Sequence, residues 1–177
     1  SMFALGNSQA LIAQRNGYSH IRVYAALSVT EENITMKIDT ASPESARASL
    51  AVLFSGWSKT MVDLILQGST FRAWPLYALP VGHRWEHRRG LTLIGDAAHL
   101  MSPFGGHGAN LAMLEGAELG LSIAASGDWD RSIRSFEQKA VARAEEAARQ
   151  AERGVAAILL PNALEHSLKW MKEGQGK

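Results

Sequence analysis

The chain has 177 residues, of which 46% are hydrophobic and 20% charged, the composition of a globular protein with a core of one domain or slightly more. Its net charge of +1 argues against a nucleic-acid partner, because nucleic-acid-binding modules carry a strong basic excess. The absence of cysteine excludes disulfides, thiolate metal sites and cysteine nucleophiles and fits a reducing cytoplasm, and no apolar run reaches the roughly 18 residues of a membrane span.

Residues 10–27 are expected to form an antiparallel hairpin. Apolar residues alternate along residues 21–27 with the period of a half-buried strand, and an earlier apolar run covers residues 10–13. Between them, Asn16-Gly17 predicts a type I′ turn, whose two central residues need positive φ. A third, shorter alternation leaves an edge strand and a loop both open, and comprises Ile34, Met36 and Ile38.

Two helices and an interrupted strand are predicted next. Ser42 is suited to cap a helix that starts at Pro43 and runs to about residue 56, because the missing N–H of proline costs nothing at the first helical position. Residues 59–66 predict a second helix, which Gly68 ends. Residues 71–76 predict a strand at a sheet edge, because Pro75 cannot donate to a strand ladder.

The second half begins with a basic loop at residues 83–89 and continues with an apolar run at 91–94, which predicts a buried strand. Helical spacing of apolar residues predicts a helix over 108–125. An alanine-rich amphipathic helix is predicted over 131–153, packed against another helix. The remaining expectations are a break at Gly154, helical segments at 156–160 and 164–171 separated by Pro161, and a frayed tail at 173–177.

Asp96 stands where an α/β fold places a ligand, just beyond the carboxyl end of a buried strand. Its carboxylate can accept hydrogen bonds from the hydroxyls of a ribityl or ribose group. The alternative is local, with Asp96 capping a short helix through Ala97, Ala98 and His99. The residues alone leave both interpretations open.

A turn rich in proline and glycine precedes the helix predicted from residue 108. It contains Pro103, Gly105, Gly106 and Gly108. Glycine lets backbone N–H groups approach a ligand closely, and the positive end of a helix dipole stabilises an electron-rich group such as the pyrimidine end of a flavin. A tight turn into a packed helix is the alternative explanation of the same residues.

Together, Gly95-Asp96-Ala97-Ala98-His99 and the turn from Pro103 to Asn110 resemble the second FAD-contacting segment of the group A flavoprotein monooxygenases. That family includes para-hydroxybenzoate hydroxylase-like and tetracycline-inactivating enzymes, and the resemblance covers nearly the whole chain. It implies that Asp96 binds the ribityl and pyrophosphate region of FAD, and that the turn lies along the isoalloxazine ring. The cofactor-binding residues implied in the turn are Pro103, Gly106, Gly108, Ala109 and Asn110.

The resemblance also implies a reaction, the hydroxylation of a small organic substrate, aromatic or polyketide-like, with FAD, NAD(P)H and O₂. Substrate contacts are expected from the antiparallel sheet, with His20, Arg22 and Tyr24 as candidates, and from Phe104 in the turn. His107 stands where the family commonly has glutamine, and its side chain is expected to point away from the ring. The sequence offers no nucleophile–base pair, so no catalytic residue is assigned, and no histidine spacing typical of a metal site.

The resemblance implies that half of the FAD site is missing from the sequence. The family opens with a strand, a Gly-x-Gly-x-x-Gly turn and a helix that hold the ADP pyrophosphate, and nothing in this sequence matches that pattern. We therefore expect a missing N-terminal dinucleotide-binding half as a partner and an isolated chain that is inactive. The alternative is a non-catalytic ligand-binding or assembly module derived from this family. Such a module would pair its exposed strand edges with another copy, as a homodimer.

The expected fold class is α+β (mixed α/β). An antiparallel, substrate-side sheet with packed helices is expected at residues 2–82. An incomplete FAD-binding domain with long C-terminal helices is expected at 83–172, and a tail at 173–177.

Overall fold

The structure is a computed structural model that describes residues 1–30, 32–33 and 38–174. The chain forms two compact units: Ser1–Pro75 with Ala157–Lys177, and Leu76–Ala156. Two residues of the third predicted alternation, Ile34 and Met36, lie outside the described residues, as does the tail beyond Gly174. The division predicted at residues 82/83 separates a substrate-binding part from an FAD-binding part. It does not concern compact units, and it stays a prediction.

The first unit contains an antiparallel three-stranded sheet in the order β1-β2-β3. Its strands are β1 (Met2–Leu5), β2 (Gln9–Arg15) and β3 (Ile21–Leu27). In the central strand, Leu11 lies opposite Ala4 and Ala25, and it is fully buried. Since side chains alternate between faces, Arg22 and Tyr24 belong to the opposite face from Ala25. The predicted hairpin of β2 and β3 is confirmed.

The turn of this hairpin differs from the prediction. Positive φ occurs at Tyr18 (57°) and Ser19 (60°), and not at Asn16-Gly17. The His20 N–H donates to the Gly17 carbonyl oxygen at 3.3 Å, which closes the turn. The register places Leu11 on the core face, and a one-residue slip would turn this side chain to the opposite face. The burial of the strands therefore sets the position of the turn, and it outweighs the local preference of Asn16-Gly17 for a type I′ turn.

Two helices pack on the core face of the sheet: α1 (Pro43–Leu53) and α2 (Lys59–Leu66). Both are confirmed, and Ser42 caps α1 by accepting a hydrogen bond from the Ser45 N–H at 3.1 Å. The buried core is formed by Leu11, Leu50, Phe54 and Ile65. Fully burying a side chain of this kind is worth about 1.5–3 kcal/mol, so these contacts hold the helices on the sheet.

The two remaining predicted strands are wrong. Residues 71–76 and 91–94 form no strand in the described chain, apart from an isolated bridge between Arg88 and Leu91. Trp74 and Leu91 are more than half exposed. A strand exists only when a neighbour accepts and donates its backbone hydrogen bonds, and the described residues supply none here. The apolar patterns alone did not reveal that no other described segment pairs with these residues.

The second unit is mainly helical, and the α+β class predicted from the sequence is confirmed. It contains the short α3 (Asp96–His99), a 3-10 turn at Pro103–Gly105, and α4 (Gly108–Ala124). Then comes α5 (Trp129–Leu159), whose first turn is capped by Asp128 Oδ1, which accepts from the Arg131 N–H at 3.1 Å.

The predicted break at Gly154 is wrong, because α5 continues through this residue to Leu159. The chain leaves the helix just before Pro161, as predicted, and forms a further helix, α6 (Ala163–Gly174). The residues of the first unit begin again at Ala157, inside α5. None of the described helices is both long and apolar enough to cross a membrane.

Candidate cofactor site

Gly95 adopts a backbone conformation that strongly favours glycine, with φ 59° and ψ −142°. A β-carbon placed on it would lie 3.1 Å from the β-carbon of Ala112 on α4. The chain therefore needs glycine here both for its conformation and for the close approach to α4. This bend delivers Asp96 to the first position of α3.

Asp96 is exposed, and its carboxylate makes no hydrogen bond to any other described residue. The N-cap position of α3 belongs to Gly95, so the capping interpretation of Asp96 is wrong. One carboxylate oxygen lies 4.0 Å from where a β-carbon on Gly108 would stand. The acidic group thus faces the start of α4 and keeps its acceptor capacity for a ligand.

The turn before α4 is stabilised by hydrogen bonds between its own residues. Ser102 Oγ accepts a hydrogen bond from the Phe104 N–H at 3.3 Å, and the Gly106 N–H donates to the Pro103 carbonyl oxygen at 3.0 Å. Gly106 is left-handed, with φ 68°, and a β-carbon there would meet nothing within 4 Å. The outer surface of the turn is open, and its exposed members are Pro103, Gly106, Ala109 and Asn110.

The inner surface of the turn packs tightly on α5. A β-carbon on Gly105 would lie 3.1 Å from the β-carbon of Ala151, and one on Gly154 would lie 2.8 Å from the Phe104 carbonyl oxygen. Met101 and Ala147 complete the buried contact. The alanine stripe of α5 was predicted to pack against another helix; here its small side chains, with Gly154, let the backbone of the turn approach.

A fully buried carboxylate, Glu115, lies behind the Gly95–Asp96 bend. Its Oε2 accepts the Gly95 N–H at 2.9 Å, and His99 Nε2 lies 2.8 Å from both carboxylate oxygens. The sequence interpretation gave His99 no polar role and missed Glu115. The available signal was an acidic residue in the middle of an otherwise apolar helix pattern.

The sequence profile of the FAD binding domain family matches residues 16–151, more than half of the chain. The chain belongs to this FAD-binding family. It is 31% identical over 103 residues to monooxygenase penA of Penicillium thymicola, covering 52% of this chain and 24% of that protein. It is 29% identical over 125 residues to 3-amino-4-hydroxybenzoate 2-monooxygenase of Streptomyces cremeus, covering 70% and 32%.

The fold is also found in Klebsiella pneumoniae HpxO, solved in complex with FAD and uric acid. The TM-score is 0.75 at 18% identity, over 97% of this chain and 42% of that one. The chain spans about a quarter of the length of penA and less than half of that of HpxO. The predicted resemblance to FAD-dependent monooxygenases, over their C-terminal portion, is confirmed, and FAD is the cofactor of this FAD-binding family.

The segment from Gly95 to Asn110 fits a nucleotide cofactor. Asp96 offers a carboxylate without a hydrogen-bond partner among the described residues, and Gly106 and Gly108 leave space where side chains would otherwise stand. The first N–H groups of a helix have no acceptor inside the helix, so the start of α4 presents donors to an electron-rich group. Donor, acceptor and open space therefore occur together within this segment.

Ion pairs join the helices and loops that surround the segment from Gly95 to Asn110. Arg143 of α5 binds Glu118 of α4 through two bonds of 2.7 and 2.6 Å. The hydrogen bond lowers the pKa of Glu118 and raises that of Arg143, and the charge of Glu115 adds to the latter effect. The pair ties α4 to α5.

A second ionic cluster joins the basic loop to α5. The Nδ1 of His87 lies 2.6 Å from Glu137, its Nε2 lies 3.1 Å from Asp130, and Thr92 donates to Glu137 at 2.8 Å. Hydrogen bonds to Glu137 and then Asp130 raise the pKa of His87. No group of three or more His, Asp or Glu side chains suited to a metal ion occurs among the described residues.

The substrate candidates occupy different parts of the chain. Arg22 and Tyr24 share one face of β3, whereas His20 lies in the turn that precedes the strand. All three are exposed, and Phe104 is half-buried in the second unit. His107 is half-buried at the start of α4. The substrate roles of the first four, and the expected orientation of His107, stay predictions.

Proposed function

We propose that this chain is the flavin-ring side of an FAD-dependent monooxygenase that hydroxylates a small organic substrate, aromatic or polyketide-like, using NAD(P)H and O₂. The reducing cytoplasm is its proposed location, in keeping with a chain free of cysteine. In this proposal an N-terminal dinucleotide-binding half holds the AMP portion of FAD, and the isolated chain is inactive. The chain's small share of its curated relatives' length supports this division.

One observation carries the proposal: the Asp96 carboxylate has no partner in the described chain and faces the start of α4 across Gly108. An exposed acidic group beside a helix N-terminus would ordinarily accept hydrogen bonds from that helix. Here it does not, so its acceptor capacity is available to hydroxyl groups. The ribityl chain of FAD supplies hydroxyls of this kind.

The turn and the start of α4 are proposed to bind the flavin ring. Pro103, Gly106, Gly108, Ala109 and Asn110 would lie along the isoalloxazine ring, and the N–H groups of α4 would stabilise negative charge at its pyrimidine end. When bound, FAD supplies the redox chemistry, accepting a hydride from NAD(P)H and activating O₂. The contribution of this chain is to bind, orient and polarise the cofactor.

The substrate class is supported by the relatives' names and by the free face of the sheet. One relative is named for a hydroxybenzoate, and HpxO was solved with uric acid; both molecules contain a planar ring. On β3, Tyr24 offers an aromatic surface on the same face as Arg22. An aromatic and a cationic side chain on one face suit a planar, partly anionic substrate.

The alternative, a non-catalytic assembly module, is favoured by one observation. Helix α4 exposes large apolar side chains, with Met113 67%, Leu114 42% and Leu121 71% exposed. Apolar surface of this extent marks a site where another polypeptide packs. A dinucleotide-binding half or a second copy of this chain would each cover it, and the two occupants give different results in the experiment below.

The test is FAD binding, followed by flavin absorbance and isothermal titration, for the purified chain alone and for the chain mixed with an N-terminal half taken from a relative. We expect weak binding by the chain alone and tight, stoichiometric binding by the mixture. Tight binding by the chain alone would overturn the need for a second half. A homodimer that binds no FAD, either alone or mixed with the N-terminal half, would favour the assembly module.

Asp96 is tested in the reconstituted mixture with Asp96→Ala and Asp96→Asn. Both variants should weaken FAD binding, and the alanine should weaken it more, because asparagine keeps one acceptor oxygen. Asp63→Ala on α2 is the matched control, since the Asp63 carboxylate pairs with the exposed Lys59 and a surface ion pair of this kind contributes little to stability. Unchanged FAD affinity in Asp96→Ala would remove Asp96 from the site.

A further inference from the structure

Glu115 closes a ring of hydrogen bonds around the peptide of Gly95. The carboxylate accepts the Gly95 N–H at 2.9 Å and binds His99 Nε2 at 2.8 Å. The backbone N–H of His99 in turn donates to the Gly95 carbonyl oxygen at 3.0 Å. Both polar groups of the Gly95 backbone are therefore tied, directly or through His99, to one side chain of α4.

The Gly95 conformation needs this support. At φ 59° and ψ −142° Gly95 lies in a region that is open to glycine and closed to most other residues. Because a glycine backbone can adopt many other conformations, its surroundings must select this one. The contact with Ala112 limits movement on one side, and the bond to Glu115 fixes the N–H on the other. The next residue in the chain is Asp96, so the direction of its side chain follows from this bend.

A buried carboxylate is costly unless it is fully hydrogen-bonded, and an apolar residue would fill the same volume without that cost. Glu115 is completely buried and spends its acceptors on the Gly95 N–H and the His99 ring. Arg143 adds an electrostatic interaction. Both hydrogen-bond partners of the Glu115 carboxylate belong to residues 95–99. Its bonds therefore stabilise the bend at Gly95, and not the packing of the core in general.

The His99 ring has a defined role in this arrangement. It is 8% exposed, Nε2 binds Glu115, and the buried Nδ1 has no hydrogen-bond partner among the described residues. A buried lone pair without a donor costs less than a buried N–H without an acceptor, so the geometry assigns the proton to Nε2. In this tautomer the ring donates to the carboxylate, and Glu115 accepts every bond it makes.

We propose that Glu115, with His99, is a positioning residue for FAD: it fixes the Gly95 bend and thereby aims the Asp96 carboxylate at the cofactor. This inference rests on the proposed function of Asp96 and extends it to two buried residues that contact no ligand. Neither residue is exposed enough to reach the cofactor directly.

The first test uses the ligand-free chain and measures amide hydrogen exchange at Gly95 by NMR. In Glu115→Gln one oxygen can still accept the Gly95 N–H, but the side-chain amide would force the His99 proton onto the buried Nδ1. We expect exchange at Gly95 to accelerate about tenfold, the size of coupling that contacting residues commonly show. Glu118→Gln is the control on the same helix and should leave Gly95 protected. His99→Gln keeps a donor toward Glu115 and should retain much of the protection.

The second test is a double-mutant cycle of Glu115→Gln and Asp96→Ala, with FAD affinity in the reconstituted mixture as the readout. If Glu115 acts through Asp96, Glu115→Gln weakens FAD binding about tenfold in the parent chain and has no further effect once Asp96 is alanine. A merely structural role would give the same loss in both backgrounds and overturn the proposal.

The outcomes distinguish the positioning role of Glu115 from the proposed FAD-binding function of Asp96. Gly95 exchange in Glu115→Gln that equals the parent's would overturn the positioning role while leaving Asp96 as an FAD ligand. FAD binding that is absent from the parent mixture would overturn the proposed function, and the cofactor role of Glu115 with it. Rapid Gly95 exchange combined with an affinity loss confined to the Asp96 background would support both.

Discussion

Replacing Gly154 with alanine should destabilise the protein, although it places the best helix former in the middle of a helix. In a free helix, glycine to alanine gains about 0.8–1 kcal/mol. Here the new β-carbon would lie 2.8 Å from the carbonyl oxygen and 3.2 Å from the carbonyl carbon of Phe104. Both are backbone atoms, so the turn itself must move, and overpacking of this kind costs about 1–3 kcal/mol.

The free energy of unfolding of Gly154→Ala should therefore fall by about 1 kcal/mol, equivalent to a fall of about 2–4 °C in Tm for a chain of this size. Chemical denaturation of Gly154→Ala would measure it. Gly116→Ala on α4 is the matched control, because a β-carbon there meets nothing within 4 Å and should stabilise the helix. A Gly154→Ala chain as stable as Gly116→Ala would refute the close contact between the turn and α5.

Three further predictions concern other parts of the molecule. The raised pKa of His87, above its ordinary 6.5, means that its bonds to Glu137 and Asp130 stabilise the fold below pH 6.5 and are lost as the pH rises through the folded value. Stability measured by unfolding at a series of pH values should lose this contribution in His87→Gln. The acid-end dependence from the lowered pKa of Asp130 should persist in part, because Arg134 also lowers that pKa. Leu11→Ala should cost about 2–5 kcal/mol in urea unfolding, since Leu11 is fully buried at the centre of the core, and a cost under 1 kcal/mol would contradict that placement. Tyr18→Gly should stabilise the hairpin by about 1 kcal/mol in the same assay, because Tyr18 is 98% exposed at φ 57°, and a loss of stability would indicate a different turn.

The features that the sequence predicted well depend on near neighbours in the chain. Helix α1 begins at Pro43 because Ser42 caps it, and α2 occupies the residues its apolar spacing indicated. The motif from Gly95 to Asn110 also identified the FAD-binding family, since its residues lie close together in sequence.

The failures each depend on a distant part of the chain. Residues 91–94 have a strand's apolar pattern, but no neighbour in the described residues pairs with them. Gly154 was interpreted as a helix end because its sequence does not reveal that the Phe104 backbone passes beside it. Glu115 was missed because its partners, Gly95 and His99, lie 20 and 16 residues away.

The solitary Asp96 carboxylate separates what folding requires from what a ligand requires. A library of variants screened only for soluble, folded chains should accept many residues at position 96, because the Asp96 carboxylate makes no hydrogen bond to the described part of the chain. The same library should reject most replacements at position 115, where the carboxylate is buried and bonded. Screening for flavin retention should make both positions intolerant, so comparing the two screens would locate the residues that serve the ligand alone.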